Sequence, residues 1–336
     1  TLSDTFFVNR FMGVHVDANS TAQDVIEFIL SRSLVPTAYS KVCALIYTGK
    51  QKYGIPMKPD QLVSEIKDEQ VHFRVLALPD PAVVPNLDPA FSTLIQGQIH
   101  KIITNRVWVC DEDICIKLGA LQCAIEFGSY AQEKHPQGFL SKILENYVPK
   151  YFATQRKTEQ SLLKEWKSIS EKTDCKQKDL QIKTYLQLAA KEIKQFGCAT
   201  VDVKIIKVDK EEFYTPVFFS VNKTGCIFIT VDGSVVMEGK WADLELDFSA
   251  GEDKFTVKGA KTILSECGGI QSFRQVMDFI RNTEYPTEQE VNESRIKGEE
   301  DEQEKPNQEY QMKTEQNVEK EKENEDKKEE YDPFAQ

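Results

Sequence analysis

The chain has 336 residues, with 42 Lys+Arg, 54 Asp+Glu, a net charge of −12 and 40% apolar side chains. That length allows two or three domains, and an acidic balance with no aromatics interleaved among the bases argues against a nucleic-acid binder. No apolar run nears the ~18 residues of a membrane span and no leader peptide is legible; the reading is a cytoplasmic chain, and Thr1 in place of Met reads as a piece of a longer one.

Residues 1–78 read as a small mixed domain. Residues 5–16 are rich in β-formers and predict two short strands. Thr21 and Asp24 form a weak capping box before a helix over 22–33, whose face is Val25, Ile26, Ile29 and Leu30. Residues 42–47 and 71–78 read as buried strands around a Gly-containing turn. The linker PDPAVVPNLDPA follows, then helices over 91–104, 114–127, 138–147, 158–170 and 179–196 in a domain spanning 87–197. The second of these carries Ile114, Leu118, Leu121 and Ile125 at helical period, with Asp111, Glu112 and Asp113 at its positive end and Gly128 as its stop. Gly197 reads as a left-handed cap of the last.

After Gly197 the apolar period changes to two. Residues 201–205, 216–221, 226–231, 234–238, 240–242, 244–248 and 254–258 predict about seven strands in a domain over 199–285. A helix over 273–281 closes it, with Ser272 as N-cap. Residues 286–336 hold 18 acidic and 8 basic residues and few apolar ones. Such a segment buries too little surface to offset chain entropy, so a disordered acidic tail is expected, with a solvated helix in part of it as the alternative. Eight scattered cysteines, none in CxxC spacing, read as reduced core residues, and the four histidines have no metal-ligand spacing. No nucleotide loop, hydrolase elbow or zinc-protease motif is present, so neither catalytic residues nor a cofactor are expected.

Several runs together resemble a known family. LGALQCAIEFG, EKH, GFL and VPKYF, then TYLQLAAKEIKQFG leading into VDVKIIKV, and Lys240-Trp241-Ala242 before LELDF, resemble the FERM module of the talin type. The resemblance covers about residues 1–285. It implies a multidomain α+β chain: a ubiquitin-like β-grasp, an acyl-CoA-binding-like helical bundle, then a PH/PTB-like sandwich with a C-terminal helix. The sequence departs from the type at a short TGKQKYGIPM where a long basic insertion is usual, at Lys240 where Arg is usual, and in lacking a helical rod.

Two surfaces follow. Residues 142–210 hold 15 bases against 9 acids. Lys150, Arg156, Lys157, Lys164, Lys167, Lys172, Lys176 and Lys178 gather there, and the resemblance implies anionic inner-leaflet lipid, including phosphoinositide, as their partner; a solvated charged face is the plainer reading. In the sandwich, the resemblance implies a receptor cytoplasmic tail peptide that adds as a strand near Lys240, Trp241 and Ala242, against Phe273, Met277 and Ile280. The whole reads as an adaptor joining the inner plasma membrane to cytoskeletal proteins. The alternatives are an endocytic adaptor using Asp332-Pro333-Phe334, or the non-catalytic head of a larger myosin or phosphatase. An intramolecular contact between the acidic tail and the basic surface is a further expectation. The reading leaves open whether the lobes form a cloverleaf or a line.

Overall fold

The computed structural model describes residues 14, 16–47, 54–66, 70–155, 157–172 and 177–304. It mixes helices with two antiparallel sheets. Helix α1 (Ala22–Arg32) starts at Thr21 through the full reciprocal capping box with Asp24 and buries Val25, Ile26, Ile29 and Leu30. Strands β1 (Cys43–Tyr47), β2 (Ile55–Pro56) and β3 (Val71–Val75) form a three-stranded sheet in the order β2-β1-β3. Most of the strand region expected at 5–16 lies outside the described residues.

Helix α2 (Pro89–Thr104) begins under Asp88, whose carboxylate accepts from Phe91 N–H at 2.9 Å. Helix α3 (Glu112–Phe127) ends at Gly128, which has φ 75°. The helix expected over 138–147 is absent. Gly138, at φ 91°, opens a series of tight turns instead, and Glu159 holds them by accepting from Leu140 N–H at 3.0 Å and Ser141 O–H at 2.9 Å. Its apolar residues keep helical spacing, yet the segment is shaped by this distant carboxylate. Helices α4 (Lys150–Ala153), α5 (Thr158–Lys172) and α6 (Lys178–Glu192) complete the layer. Helix α6 stops before the predicted cap: Ile193 is its C-cap, and Gly197 takes φ 81° in the turn beyond.

Strand β4 (Ala199–Val208) is long enough to serve both halves of the second sheet. Its first half pairs with β6 (Val217–Val221), and its second half pairs with β5 (Glu211–Glu212) and β11 (Thr262–Glu266). With β7 (Gly225–Thr230), β8 (Val235–Lys240), β9 (Glu245–Asp247) and β10 (Lys254–Lys258), the order is β8-β7-β6-β4-β11-β10-β9. Two strand expectations change. Trp241–Asp243 is a single 3-10 turn, because Leu244 N–H closes back on the Trp241 carbonyl, and β11 is an additional strand. Helix α7 (Ile270–Asn282) starts three residues earlier than predicted, at Gly269 in the left-handed region, so Ser272 lies buried in its first turn rather than capping it.

Helix α8 (Glu288–Glu304) occupies the start of the expected disordered tail. It forms because the body offers it partners: Thr287 and Glu290 cap it, Val291 is buried, Glu290 pairs with Lys41, and Arg295 pairs with Asp88. Residues beyond 304 lie outside the described residues.

The parts pack on one another rather than lying in a line. One core joins α1 and the first sheet to α2, α3 and α6, with Tyr39 stacked on Phe91 at 3.9 Å. Buried Gln98 on α2 donates to the Val75 carbonyl at 2.7 Å and accepts from Val75 N–H at 3.1 Å, satisfying the edge of β3. Ala44, Ile46 and Leu76 belong instead to the core of the eight-stranded sheet, with Phe219, Phe228, Phe255 and α7. A cavity of about 250 Å³ lies where these parts meet. Seven described cysteines are free thiols, six of them buried, and burial pushes Cys198 and Cys226 up to about 12.

Candidate functional site

The basic face is carried by α4, α5 and the start of α6. Leu162, Leu163 and Trp166 turn one side of α5 into the core, and Trp166 Nε1–H donates to the Gly128 carbonyl at 2.9 Å. The opposite side then presents Lys157, Lys164 and Lys167, all exposed, with Lys172 at the end of the helix and Lys178 opening α6. Lys157 stands just ahead of the helix, and Lys164 and Lys167, three residues apart, are neighbours on its surface. Glu171 lies 4.0 Å from Lys167 and Glu145 lies 4.0 Å from Lys150, both pairs exposed and weakly bound. Glu159 does not interrupt the face, since both its oxygens are engaged by the 140–141 turn. Thr158 O–H donates to the Phe152 carbonyl at 2.8 Å and so fixes α4 against α5. Arg156 and Lys176 lie outside the described residues.

Sequence reasoning missed two residues at the edge of this face. Tyr151 on α4 is 62% exposed. Arg106 lies over its ring, with the guanidinium carbon 5.3 Å from the centroid. Arg106 follows α2 at the position where the chain turns left-handed, with φ 58°. Arg106 N–H bonds the Ile103 carbonyl and Val107 N–H bonds that of Ile102, both at 2.9 Å, the paired pattern of a Schellman cap. No local pattern joins residues 106 and 151, so no sequence signal could have paired them.

At the sandwich edge the expected residues part company. Lys240 ends β8 and is exposed; Trp241 and Ala242 lie in the 3-10 turn between β8 and β9. Trp241 Nε1–H donates to the Asn222 carbonyl at 2.9 Å, and Arg281 of α7 stacks over its ring at 4.8 Å. One turn-pair earlier on α7, Arg274 stacks over Phe248 at 5.0 Å. Phe273, Met277 and Ile280 do not line an open groove. They are 3%, 2% and 2% exposed and belong to the sandwich core, because the apolar stripe of α7 is spent covering Phe219 and its neighbours. The sheet ends in two edge strands, β8, which runs to Lys240, and β9. Trp241, between them, and Phe248, just after β9, each lie under an arginine of α7. On β9, Glu245 pairs with Lys258 at 3.0 Å, and bonds from Ser249 hold the Asp247 carboxyl below the usual range.

The acidic segment approaches a different place from the one expected. Its described part, α8, meets Lys41 and Asp88, not the α5 lysines. Asp332, Pro333 and Phe334 lie outside the described residues. Among the described residues no cluster of metal-ligating groups occurs, and no helix is long and apolar enough to cross a membrane.

Residues 85–201 match the FERM central domain. Two Talin-A sequences of Dictyostelium discoideum are 25% identical over 180 residues, 51% of this chain, which spans only 7% and 14% of their lengths. The crystal structure of the FERM and C-terminal domain complex of Drosophila merlin superposes with a TM-score of 0.62 at 13% identity, over 90% of this chain and 99% of that one. A human myosin 7b MyTH4-FERM domain, solved with the harmonin-a PDZ3 domain, gives 0.60 at 16% identity, over 79% of this chain and 56% of that one.

Proposed function

The chain is a FERM-domain protein distantly related to talin, and from that premise we propose that it is an adaptor head at the inner face of the plasma membrane, joining anionic lipid to protein partners of the cytoskeleton. Its working parts are the boundaries expected from sequence: 1–78, 87–197 and 199–285. The observation that carries the proposal is the outer face of α5, where Lys157, Lys164 and Lys167 are exposed while the interrupting Glu159 is turned into the 140–141 turn. With Lys150, Lys172 and Lys178 the described face offers six cations. Near an anionic bilayer each contributes about 1 kcal/mol, enough in sum to hold a head at a surface. Phosphoinositide suits such a face because its headgroup concentrates charge.

The second activity is capture of a peptide along β9, with Trp241 and the α7 arginines forming the wall. The strand carries Glu245 and Asp247, with Asp243 just before it, and these acids disfavour a phosphotyrosine on the tail peptide. The merlin structure is a complex of its FERM and C-terminal domains and the myosin 7b MyTH4-FERM structure is a complex with a PDZ domain, which supports a protein-binding role.

Reversing two charges, K164E with K167E, tests the lipid reading in cosedimentation with phosphatidylserine vesicles. Loss of four unit charges should weaken binding at least tenfold and flatten its salt dependence. Binding that ignores both the substitutions and the salt would sink the proposal.

A further inference from the structure

We propose that Tyr151, capped by the Arg106 guanidinium, is the point at which this face enters the headgroup layer of an anionic bilayer. The inference rests on the lipid-binding reading of the α4–α5 face and adds to it the residues that penetrate rather than attract.

The first observation is Tyr151 itself. It stands 62% exposed on α4, while the next residue, Phe152, packs inward against the core. A tyrosine ring with a hydroxyl at its tip is the amphipathic shape that settles between headgroups and acyl chains.

The second is the residue above it. The cap that ends α2 uses only backbone groups: Arg106 N–H to Ile103 and Val107 N–H to Ile102. Its left-handed residue is normally glycine, because a side chain there crowds the following carbonyl. The cap gains nothing from an arginine at φ 58°. What the arginine does is reach across to α4 and lie over the Tyr151 ring at 5.3 Å. The backbone strain is thus spent on placing a cation beside an exposed aromatic.

The third is charge. Lys150 precedes Tyr151 on α4 with its side chain 79% exposed, held only by a loose 4.0 Å approach to Glu145. An exposed aromatic with a cation over its ring and another next to it in the chain matches a phosphate-bearing surface with an apolar layer beneath it. The occupant is a bilayer rather than a soluble phosphate compound, because the ring projects from the surface. Neither the cavity at the junction of the parts nor the one beside β7 and β8 is lined by these residues.

The test uses the full chain and vesicles of phosphatidylcholine with or without phosphatidylserine. Arg106→Gly removes the strain together with the cation. It should keep or raise the melting temperature, yet weaken binding to anionic vesicles about fivefold, the effect of one interfacial base. Tyr151→Ala should weaken binding by a similar factor with little change in melting temperature. In Tyr151→Trp, the difference emission against the native chain should shift to the blue on anionic vesicles and be quenched by brominated lipid. If Arg106→Gly and Tyr151→Ala bind as the native chain does while K164E weakens binding, the face attracts lipid without insertion. The inference then fails and the lipid-binding reading stands. If K164E is also without effect, the lipid-binding reading fails too. A fall in melting temperature for Arg106→Gly with unchanged binding would make the arginine structural and overturn the inference. A blue shift with soluble inositol hexakisphosphate in place of vesicles would overturn it as well, by pointing to a soluble anion.

Discussion

His100 shows how one buried side chain sets the pH range of the helical layer. Its Nε2 lies 2.6 Å from the Asn146 carbonyl, which can only accept, so Nε2 carries the proton and Nδ1 accepts from Tyr185 O–H at 3.2 Å. Burial pushes its pKa down to about 4, and the carbonyl offsets this only in part. The folded value lies below the usual ~6.5, so the contribution to stability is complete above that pH and is lost as pH falls from 6.5 toward 4. For this group the loss at pH 4 amounts to about 3 kcal/mol. His135 adds the same sign: burial lowers its pKa, and its Nδ1 accepts from Ala131 N–H at 3.1 Å, a bond that protonation removes. Urea unfolding at stepped pH should show the decline, with the His100 ring titrating near 4 by NMR. A curve flat between pH 7 and 4 contradicts this assignment. Sequence alone showed only that these histidines lacked ligand spacing, since their depressed pKa comes from burial under partners distant in the chain.

Among the elements, α3 is closely packed at Gly119. A methyl group at Gly119 would lie 2.8 Å from the Tyr147 carbonyl and 3.1 Å from Leu162. Alanine is the better helix former by about 1 kcal/mol, but forcing α3 away from the 144–148 turns costs typically 1–3 kcal/mol. Gly119→Ala should therefore lower stability by up to about 2 kcal/mol, seen as a reduced melting temperature; a rise would mean the turns yield freely. The stripes of α1 and α7 and the alternation of β4 were legible, because local period alone specifies them. In α3 the expected stripe gave one face only: Ile114 and Ile125 are partly buried, and Ile116, Ala120, Cys123 and Ala124 bury a second face in another core. The turns at 138–147 were misread because Phe139, Leu140, Ile143, Leu144 and Tyr147 repeat at helical intervals while Glu159, from another helix, sets the path. Helix α8 reads from sequence only as a solvated alternative to disorder, and its docking was not legible: its partners, Lys41 and Asp88, are remote in sequence and it lacks an apolar stripe. Of the two candidate surfaces, the bases were readable one by one. The arginine stacks on Tyr151, Phe248 and Trp241 were not, each being a meeting of distant segments.

At the scale of the whole molecule, the segment leaving α7 runs back across the junction of the first sheet and α2. Tyr285 O–H donates to the Ala77 carbonyl at 2.6 Å, Val291 enters the core shared by α1 and α2, and Arg295 meets the nearly buried Asp88. Asp88→Ala removes both the α2 cap and the partner of Arg295, so it should cost about 1–2 kcal/mol. Arg295→Ala should cost less, yet speed amide exchange along α8 while leaving the β-sandwich unchanged. Equal exchange rates in both variants and the native chain would show that the pairs do not hold the helix. The order of these contacts also fixes how the molecule meets mechanical load. Tension applied beyond residue 304 reaches Arg295 first, then Val291 and Glu290, and only last Tyr285, so the helix peels one attachment at a time instead of shearing all together. The segment from 285 to 304 is thus a compliant lead between whatever pulls on it and the rigid head behind it.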